Sequence, residues 1–455
     1  MSDTAAATAA RVTAGRTSAR AETAAALARI EAANPAINAF TDVLAARALR
    51  TADAVDAALA AGRDPGPLAG VPFAVKNLFD VAGLPTRAGS LINRERAPAA
   101  RDACLVRCLE AAGAVLVGAL NMGEYAYDFT GENAHDGASR NPLDPARMTG
   151  GSSGGSGAAV ASGMVPLALG SDTNCSIRVP ASLCGTFGLK PTYGRLSRAG
   201  SFPFVSSFDH LGPLANGVAD LALAYDAMQG ADDDDPAQCP RPFEPTSPEL
   251  HRGAAGLRIA LAGGHFARGG APEAFAAVAR TAALLGTTRT VEFPEAARAR
   301  AAAYVITAAE GAALHADRLR TRPHDFDPDV RDRLIAGLAI PAAWVSRAQR
   351  FRRWYRDQVH ALFDTVDVVL APATPVTAPL IGQKTLELDG ITVPLRPNLG
   401  VFTQPISFIG LPVAAVPVRP DAGLPIGVQV IAAPWREDLA LRVAATLEAA
   451  LARSH

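Results

Sequence analysis

Short apolar runs bounded by glycine or proline recur from one end of this chain to the other, and they constrain its fold more than any other feature. Gly70-Val-Pro-Phe-Ala-Val75, Ala114-Val-Leu-Val117 and Leu257-Arg-Ile-Ala-Leu261 precede a mostly helical pattern over 273–365, and Val366-Asp-Val-Val-Leu-Ala-Pro372, Val413-Ala-Ala-Val-Pro-Val418 and Ile426-Gly-Val-Gln-Val-Ile431 follow it. Runs this short without a polar face read as buried strands rather than helices. Helical patterns such as 102–112 alternate with them as far as about residue 230, which predicts an α/β chain. A single inner sheet fed by both ends of the sequence is the economical way to bury all six. Within 18–62 the apolar positions Leu27, Ile30, Ile37, Phe40, Val43 and Leu44 predict helix, with Pro35 breaking it or starting a second one. Residues 1–65 are therefore expected to pack as an N-terminal helical segment on one structural unit spanning 66–455. The polar, proline-rich stretch 231–248 is expected to be a surface excursion from that unit.

Composition narrows the function classes. Lys plus Arg number 43 against 44 Asp plus Glu, so no basic footprint points to direct nucleic-acid binding. No run approaches the roughly 18 apolar residues that span a bilayer, and the N-terminus lacks the apolar core of a secretory signal. The five cysteines, Cys104, Cys108, Cys175, Cys184 and Cys239, include no C-x-x-C pair, which suits a reducing cytoplasm and gives no metal site. Cys104 and Cys108 share a helical face and read as small buried hydrophobes.

Chemistry concentrates in residues 148–180, where two Gly/Ser loops flank one apolar segment. Gly151-Ser-Ser-Gly-Gly155 matches the G-x-S-x-G nucleophile elbow with Ser153 as nucleophile. An elbow follows a strand, however, and 141–150 shows none; nor does anything single out a base among His210, His251, His265, His315, His324 and His360. A P-loop is excluded because no Gly-Lys-[Ser/Thr] ending follows. The competing reading joins both loops to Lys76, a lysine at the end of an apolar strand. Burial lowers a lysine pKa from its usual value of about 10.4, and a neutral lysine can activate a serine.

Five ordered blocks carry a resemblance: Gly70-Val-Pro-Phe-Ala-Val-Lys76 with its apolar frame, Gly150-Gly-Ser-Ser-Gly-Gly-Ser156, Ser171-Asp-Thr-Asn-Cys-Ser-Ile-Arg-Val-Pro180, Gly188-Leu-Lys-Pro-Thr-Tyr-Gly194 and Gly423-Leu-Pro-Ile-Gly427. Over about residues 20–450 the chain resembles the amidase signature family. The resemblance implies a single large α/β/α layered domain with a central mixed, twisted sheet covered by helices on both faces. It also implies a catalytic set of Lys76, a cis-peptide Ser152 as proton bridge and Ser176 as nucleophile, with no metal or organic cofactor. Ser153 then becomes a loop-supporting hydroxyl. The backbone N–H groups of Thr173, Asn174, Cys175 and Ser176 would form an oxyanion hole, worth about 3–4 kcal/mol per key donor. Asp172 and Arg178 would form an ion pair supporting that loop.

One departure stands out. The two residues before the nucleophile are commonly glycine in this family; here they are Asn174 and Cys175. If the loop needs left-handed angles there, Cys175 costs about 1–2 kcal/mol, so the expectation is a strained or rebuilt oxyanion hole, with Cys175 itself a rival nucleophile. Finer blocks, Asn121–Asp136, Ser171–Asn174, Ser201–Phe204 and Leu223–Gly230, look like the carboxybiuret/biuret hydrolase branch, whose members act in cyanuric acid and s-triazine breakdown. That implies ammonia release from a small, urea-like, carboxylated amide. The alternatives are the glutamine-hydrolysing catalytic subunit of an aminoacyl-tRNA amidotransferase, a broad-specificity amidase, and a degenerate amidase kept as a scaffold. By resemblance to glutamine-binding positions, Tyr304 and Arg352 are candidate substrate contacts, with Arg350 and Arg353 near enough in sequence to be confused with Arg352. Tyr125 and Tyr127 are candidate pocket walls. Relatives also suggest a small helical accessory subunit, in a homodimer or heterotetramer.

Overall fold

The computed structural model describes residues 4–420 and 423–453. Among them, eleven strands form one mixed sheet: β1 (Phe40–Val43), β2 (Pro72–Lys76), β3 (Val115–Leu120), β4 (Leu167–Asp172), β5 (Phe187–Lys190), β6 (His210–Ala215), β7 (Ile259–Ala262), β8 (Thr290–Val291), β9 (Val368–Pro372), β10 (Val413–Val418) and β11 (Ile426–Ala432). Their spatial order is β1-β3-β2-β4-β6-β5-β10-β11-β9-β7-β8. The late strands β10 and β11 sit mid-sheet: β10 pairs antiparallel with β5, and β9 returns between β11 and β7. All six apolar runs of the sequence are core strands of this sheet, fed from both ends of the chain.

The side-chain period of two along the strands separates two cores. Phe73, Val75, Leu167 and Leu169 join one apolar cluster, whereas the intervening Ala74 and Ala168 join the other. Helices Cys104–Ala111, Val218–Met228, Pro272–Leu284 and Glu437–Ala452 contribute to the first cluster. Helices Ala19–Ile37, Ala45–Ala60 and Gly154–Ala161 contribute to the second. Lys76 shares the parity of Ala74, so it leaves the strand on the side where the helix Gly154–Ala161 begins. No described helix is long and apolar enough to cross a membrane.

The N-terminal stretch departs from the helical expectation. Helix Ala19–Ile37 runs through Pro35 and ends at Asn38, whose left-handed φ of 56° reverses the chain. Phe40 and Val43 then lie in β1, antiparallel to β3, and Leu44 N donates to Val117 O at 2.8 Å. Asn34 decides this locally. Its Oδ1 accepts from Phe40 N (2.7 Å) and its Nδ2 donates to Phe40 O (3.2 Å), engaging the backbone that a helix would need. Over so few residues the apolar positions fit either period. A second difference lies at Asp144–Met148, a strand paired with Arg140–Asn141 in a separate two-stranded ribbon. The first Gly/Ser loop thus follows a strand, but not one of the core sheet. Cys104 and Cys108 are half-buried rather than buried.

Candidate active site

Three chain segments meet where β2 and β4 end. Lys76 is fully buried, and its Nζ donates to Ser152 Oγ at 2.7 Å and Ser171 Oγ at 2.8 Å. Burial pulls the Lys76 pKa down to about 7, so the neutral amine is populated near neutrality. The peptide Gly151–Ser152 is cis. Gly151 N donates to Phe129 O (2.9 Å), Gly123 N to Ser152 O (3.1 Å), and a methyl at Gly151 would fall 2.1 Å from Asp128 Oδ2. Glycine is required there by this close approach. Ser153 Oγ donates to Ser171 O (3.1 Å) and accepts from Ser171 N (3.2 Å), stitching the loop to β4. Ser153 therefore faces the sheet backbone, and the elbow reading finds no base beside it.

Ser176 lies in the turn 173–176, between β4 and the helix Arg178–Cys184. Among the described residues no protein acceptor takes the N–H of Thr173, Asn174, Cys175 or Ser176. Four consecutive free donors in a buried turn are suited to a developing oxyanion. The turn is clamped from behind. Arg178 Nε and Nη2 each donate to the Asp172 carboxylate at 2.9 Å, Nη2 also to Asn174 O (3.0 Å) and Ser407 Oγ, and Nη1 to Gln429 Oε1 (2.7 Å) and Thr403 O (3.1 Å). Burial alone would raise the Asp172 pKa, but Arg178 outweighs it and holds the carboxyl at about 2. Thr173 Oγ1 donates to Asp209 Oδ1 at 2.6 Å, fixing the loop's other edge.

The expected strain at Asn174 and Cys175 is absent. Neither has a positive φ, so the loop accommodates both side chains without left-handed angles. Asn174 Nδ2 instead reaches Thr307 Oγ1 (3.2 Å), and Cys175 packs with Phe129, Val179 and Leu183. Cys175 Sγ lies 3.6 Å from Gly151 O and 3.9 Å from Ser176 Oγ, bridging the two loops. Burial pushes its thiol well above the ordinary value, which removes the thiolate that a cysteine nucleophile needs.

Of the substrate-side candidates, Tyr304 and Tyr127 share a neighbourhood with Arg333, whereas Tyr125 and Arg352 are engaged elsewhere. Tyr125 is buried against Phe202, His315 and Phe326, its hydroxyl accepting from Ser90 Oγ at 2.8 Å. Tyr304 OH donates to Pro397 O (2.9 Å). Arg352 donates to Phe408 O (2.6 Å) and Ser207 O (2.8 Å) and stacks on Phe208, while Arg350 and Arg353 are exposed. Tyr127 lies nearer the serines. Its ring packs on Phe204 at 4.8 Å, Phe204 N donates to the Asp209 carboxylate that holds Thr173, and the adjacent Asp128 abuts Gly151. Over that ring, at 3.9 Å, sits the guanidinium of Arg333, on the helix Pro328–Leu338. Arg333 donates to the carbonyl oxygens of Tyr127 and Asp329, and no described carboxylate forms an ion pair with it.

Two of these residues were not assigned roles from sequence. Ser171 reaches Lys76 through a register that the sequence does not state: parallel pairing of Val75 with Leu169 brings the ends of β2 and β4 level. Arg333 carried no signal, being one of many arginines on an amphipathic helix.

The amidase family model matches residues 21–441. The chain belongs to the amidase family. This amidase is 57% identical over 439 residues to AtzE, a 1-carboxybiuret hydrolase subunit of Pseudomonas sp. (strain ADP), covering 96% of each chain. It is 39% identical over 449 residues to a glutamyl-tRNA(Gln) amidotransferase subunit of Chloroflexus aurantiacus, covering 92% of this chain and 91% of the relative. Its backbone superposes with a TM-score of 0.97, at 55% identity and 98% coverage of both chains, on a structure described as a vestigial protein complex that reveals the evolutionary origins of an s-triazine catabolic enzyme. The α/β fold, the family and the amidohydrolase class expected from the five sequence blocks are thereby established.

Proposed function

We propose that this amidase hydrolyses a small, urea-like carboxylated amide of the carboxybiuret or biuret type, releasing ammonia through an acyl-enzyme on Ser176. The observation that carries the mechanism is the buried Lys76 amine, with its lowered pKa, in hydrogen-bond contact with Ser152. Neutral Lys76 takes the Ser152 proton as Ser152 takes that of Ser176, and Ser176 Oγ adds to the amide carbon. The oxyanion rests on the amides of 173–176. Collapse breaks the C–N bond, and Ser152 passes its proton to the departing ammonia while Lys76 returns its own to Ser152, which restores the neutral amine. Water then adds to the acyl carbon, the same relay removes its proton, and Ser176 Oγ leaves as the hydroxyl. The 57% identity to a carboxybiuret hydrolase subunit supports this substrate class over glutamine, where the matched relative stands at 39%.

An anionic substrate needs a cation beside the amides. Arg333 and Arg352 each donate to two main-chain carbonyls and neither forms an ion pair with a described carboxylate; Arg333 is the arginine we assign, because its guanidinium lies over Tyr127, whose neighbour Asp128 abuts Gly151, whereas Arg352 lies over Phe208. Ammonia release from carboxybiuret, biuret, glutamine and propionamide, measured on wild type, Arg333→Gln and Arg352→Gln, tests both points. Carboxybiuret is expected to be the best substrate; a preference for glutamine overturns the substrate class. Arg333→Gln is expected to raise KM for carboxybiuret by about 10–100-fold, the loss of one charge-assisted contact, and to leave propionamide within about threefold. Equal effects on both substrates refute the assignment. We also place this chain in a complex with a small helical accessory subunit, as the neighbour described as a protein complex suggests. Full turnover by a species that light scattering sizes as the chain alone would remove that partner.

A further inference from the structure

The strand β6 begins with a buried histidine that the lysine–serine relay does not use. His210 pairs in register with Asp172, the last residue of β4. Its Nδ1 lies 3.0 Å from Asp172 O and 2.5 Å from Phe208 O, while its Nε2 is buried without a partner. Two carbonyl oxygens at Nδ1 demand a proton there, so the ring is the neutral Nδ1–H tautomer.

We propose that His210 is a positioning residue for the oxyanion hole, acting through the Asp172 carbonyl. In a trans peptide the carbonyl oxygen and the following N–H point to opposite sides. Holding Asp172 O against the imidazole therefore turns Thr173 N–H away from β6, toward the side on which the turn's amides are free. Arg178 does the same two peptides further on, since its bond to Asn174 O directs Cys175 N–H. The two clamps alternate along the loop, and Thr173 Oγ1 on Asp209 fixes the side chain between them. The ion pair of Asp172 and Arg178 secures the carboxylate and the far end of the turn; it does not reach the peptide that joins Asp172 to Thr173. The pairing of Asp172 with His210 already turns this peptide toward β6, and the imidazole adds a side-chain hold on the same carbonyl at the end of the ladder.

The inference rests on Ser176 as the nucleophile, and isosteric variants test it. An asparagine amide nitrogen can take the place of Nδ1, whereas the longer glutamine places its nitrogen near Nε2. His210→Asn is expected to keep kcat within about threefold of wild type, and His210→Gln to lose about tenfold or more in kcat with KM within about twofold, the pattern of a lost transition-state donor. Equal losses in the two variants, a loss confined to KM, or no loss in His210→Gln overturns the proposal. Nitrogen NMR of the wild type adds a test that needs no variant. His210 is expected to carry its proton on Nδ1, and its signal is expected to move when a boronic acid forms a tetrahedral adduct on Ser176. A proton on Nε2, or a signal unmoved by the adduct, overturns the proposal as well. A Ser176→Ala enzyme that retains turnover would instead sink the nucleophile assignment, and so separates the two failures.

Discussion

Ser176→Ala is expected to abolish amide hydrolysis, lowering kcat by about 10⁴-fold or more, the scale on which serine hydrolases lose activity with their nucleophile. The protein should keep its fold, because Ser176 Oγ contributes no hydrogen bond beyond the 3.9 Å approach of Cys175 Sγ, and alanine leaves the four loop amides in place. Circular dichroism and melting temperature check the fold, and ammonia release under single-turnover conditions checks the chemistry. Cys175→Ala in the same set of measurements should keep turnover within about tenfold, since only a neutral thiol in packing contact is removed. Retained activity in Ser176→Ala with loss in Cys175→Ala would reverse the assignment.

Lys76→Met is expected to cost about 10³-fold in kcat/KM, within the range of a general base. Methionine matches the length and apolar stem of lysine, so the buried site stays filled. The pH profile carries the sharper information. The folded-state pKa is about 7, and the proposed relay uses the neutral amine. Wild-type kcat/KM should therefore rise as pH increases through about 7 and level off above it. Lys76→Met should show its residual rate without that acid limb. A wild-type limb centred near 10, where an unburied lysine titrates, would mean that burial does not tune the base. An unchanged limb in Lys76→Met would assign the titration to another group.

Legibility differed by residue, and for physical reasons. Lys76 could be singled out because a charge at the end of an apolar strand is costly, so its presence advertises a role. Ser152 and Ser153 could not be ranked by spacing alone, since both occupy one short glycine loop; a hydroxyl pointing at Ser171 backbone and another at Lys76 Nζ distinguish them in space. The apolar positions of Phe40–Val43 fit both periods, so the sequence predicts helix where the structure has a strand. Its register depends on pairing with β3, more than seventy residues away in the chain. The feared strain at Asn174-Cys175 came from comparing residue types. The actual backbone angles there are ordinary, and a partner on a distant helix, Thr307, receives the Asn174 side chain.

The chain alone was sufficient for what lies in contiguous residues: the short buried strands, the two glycine-serine loops and the lysine at the end of an apolar strand. These features are local, because backbone freedom, apolar period and turn chemistry act over a few residues. Contacts across the fold decided the rest. Ser171 became a lysine partner only through the parallel register of β2 and β4, Arg333 came to lie over Tyr127 only through the packing of its helix, and His210 met Asp172 only through the antiparallel register of β4 and β6. A side chain's electrostatic role is set by what burial and long-range pairing bring within a few ångströms, and these contacts join residues that are remote along the sequence.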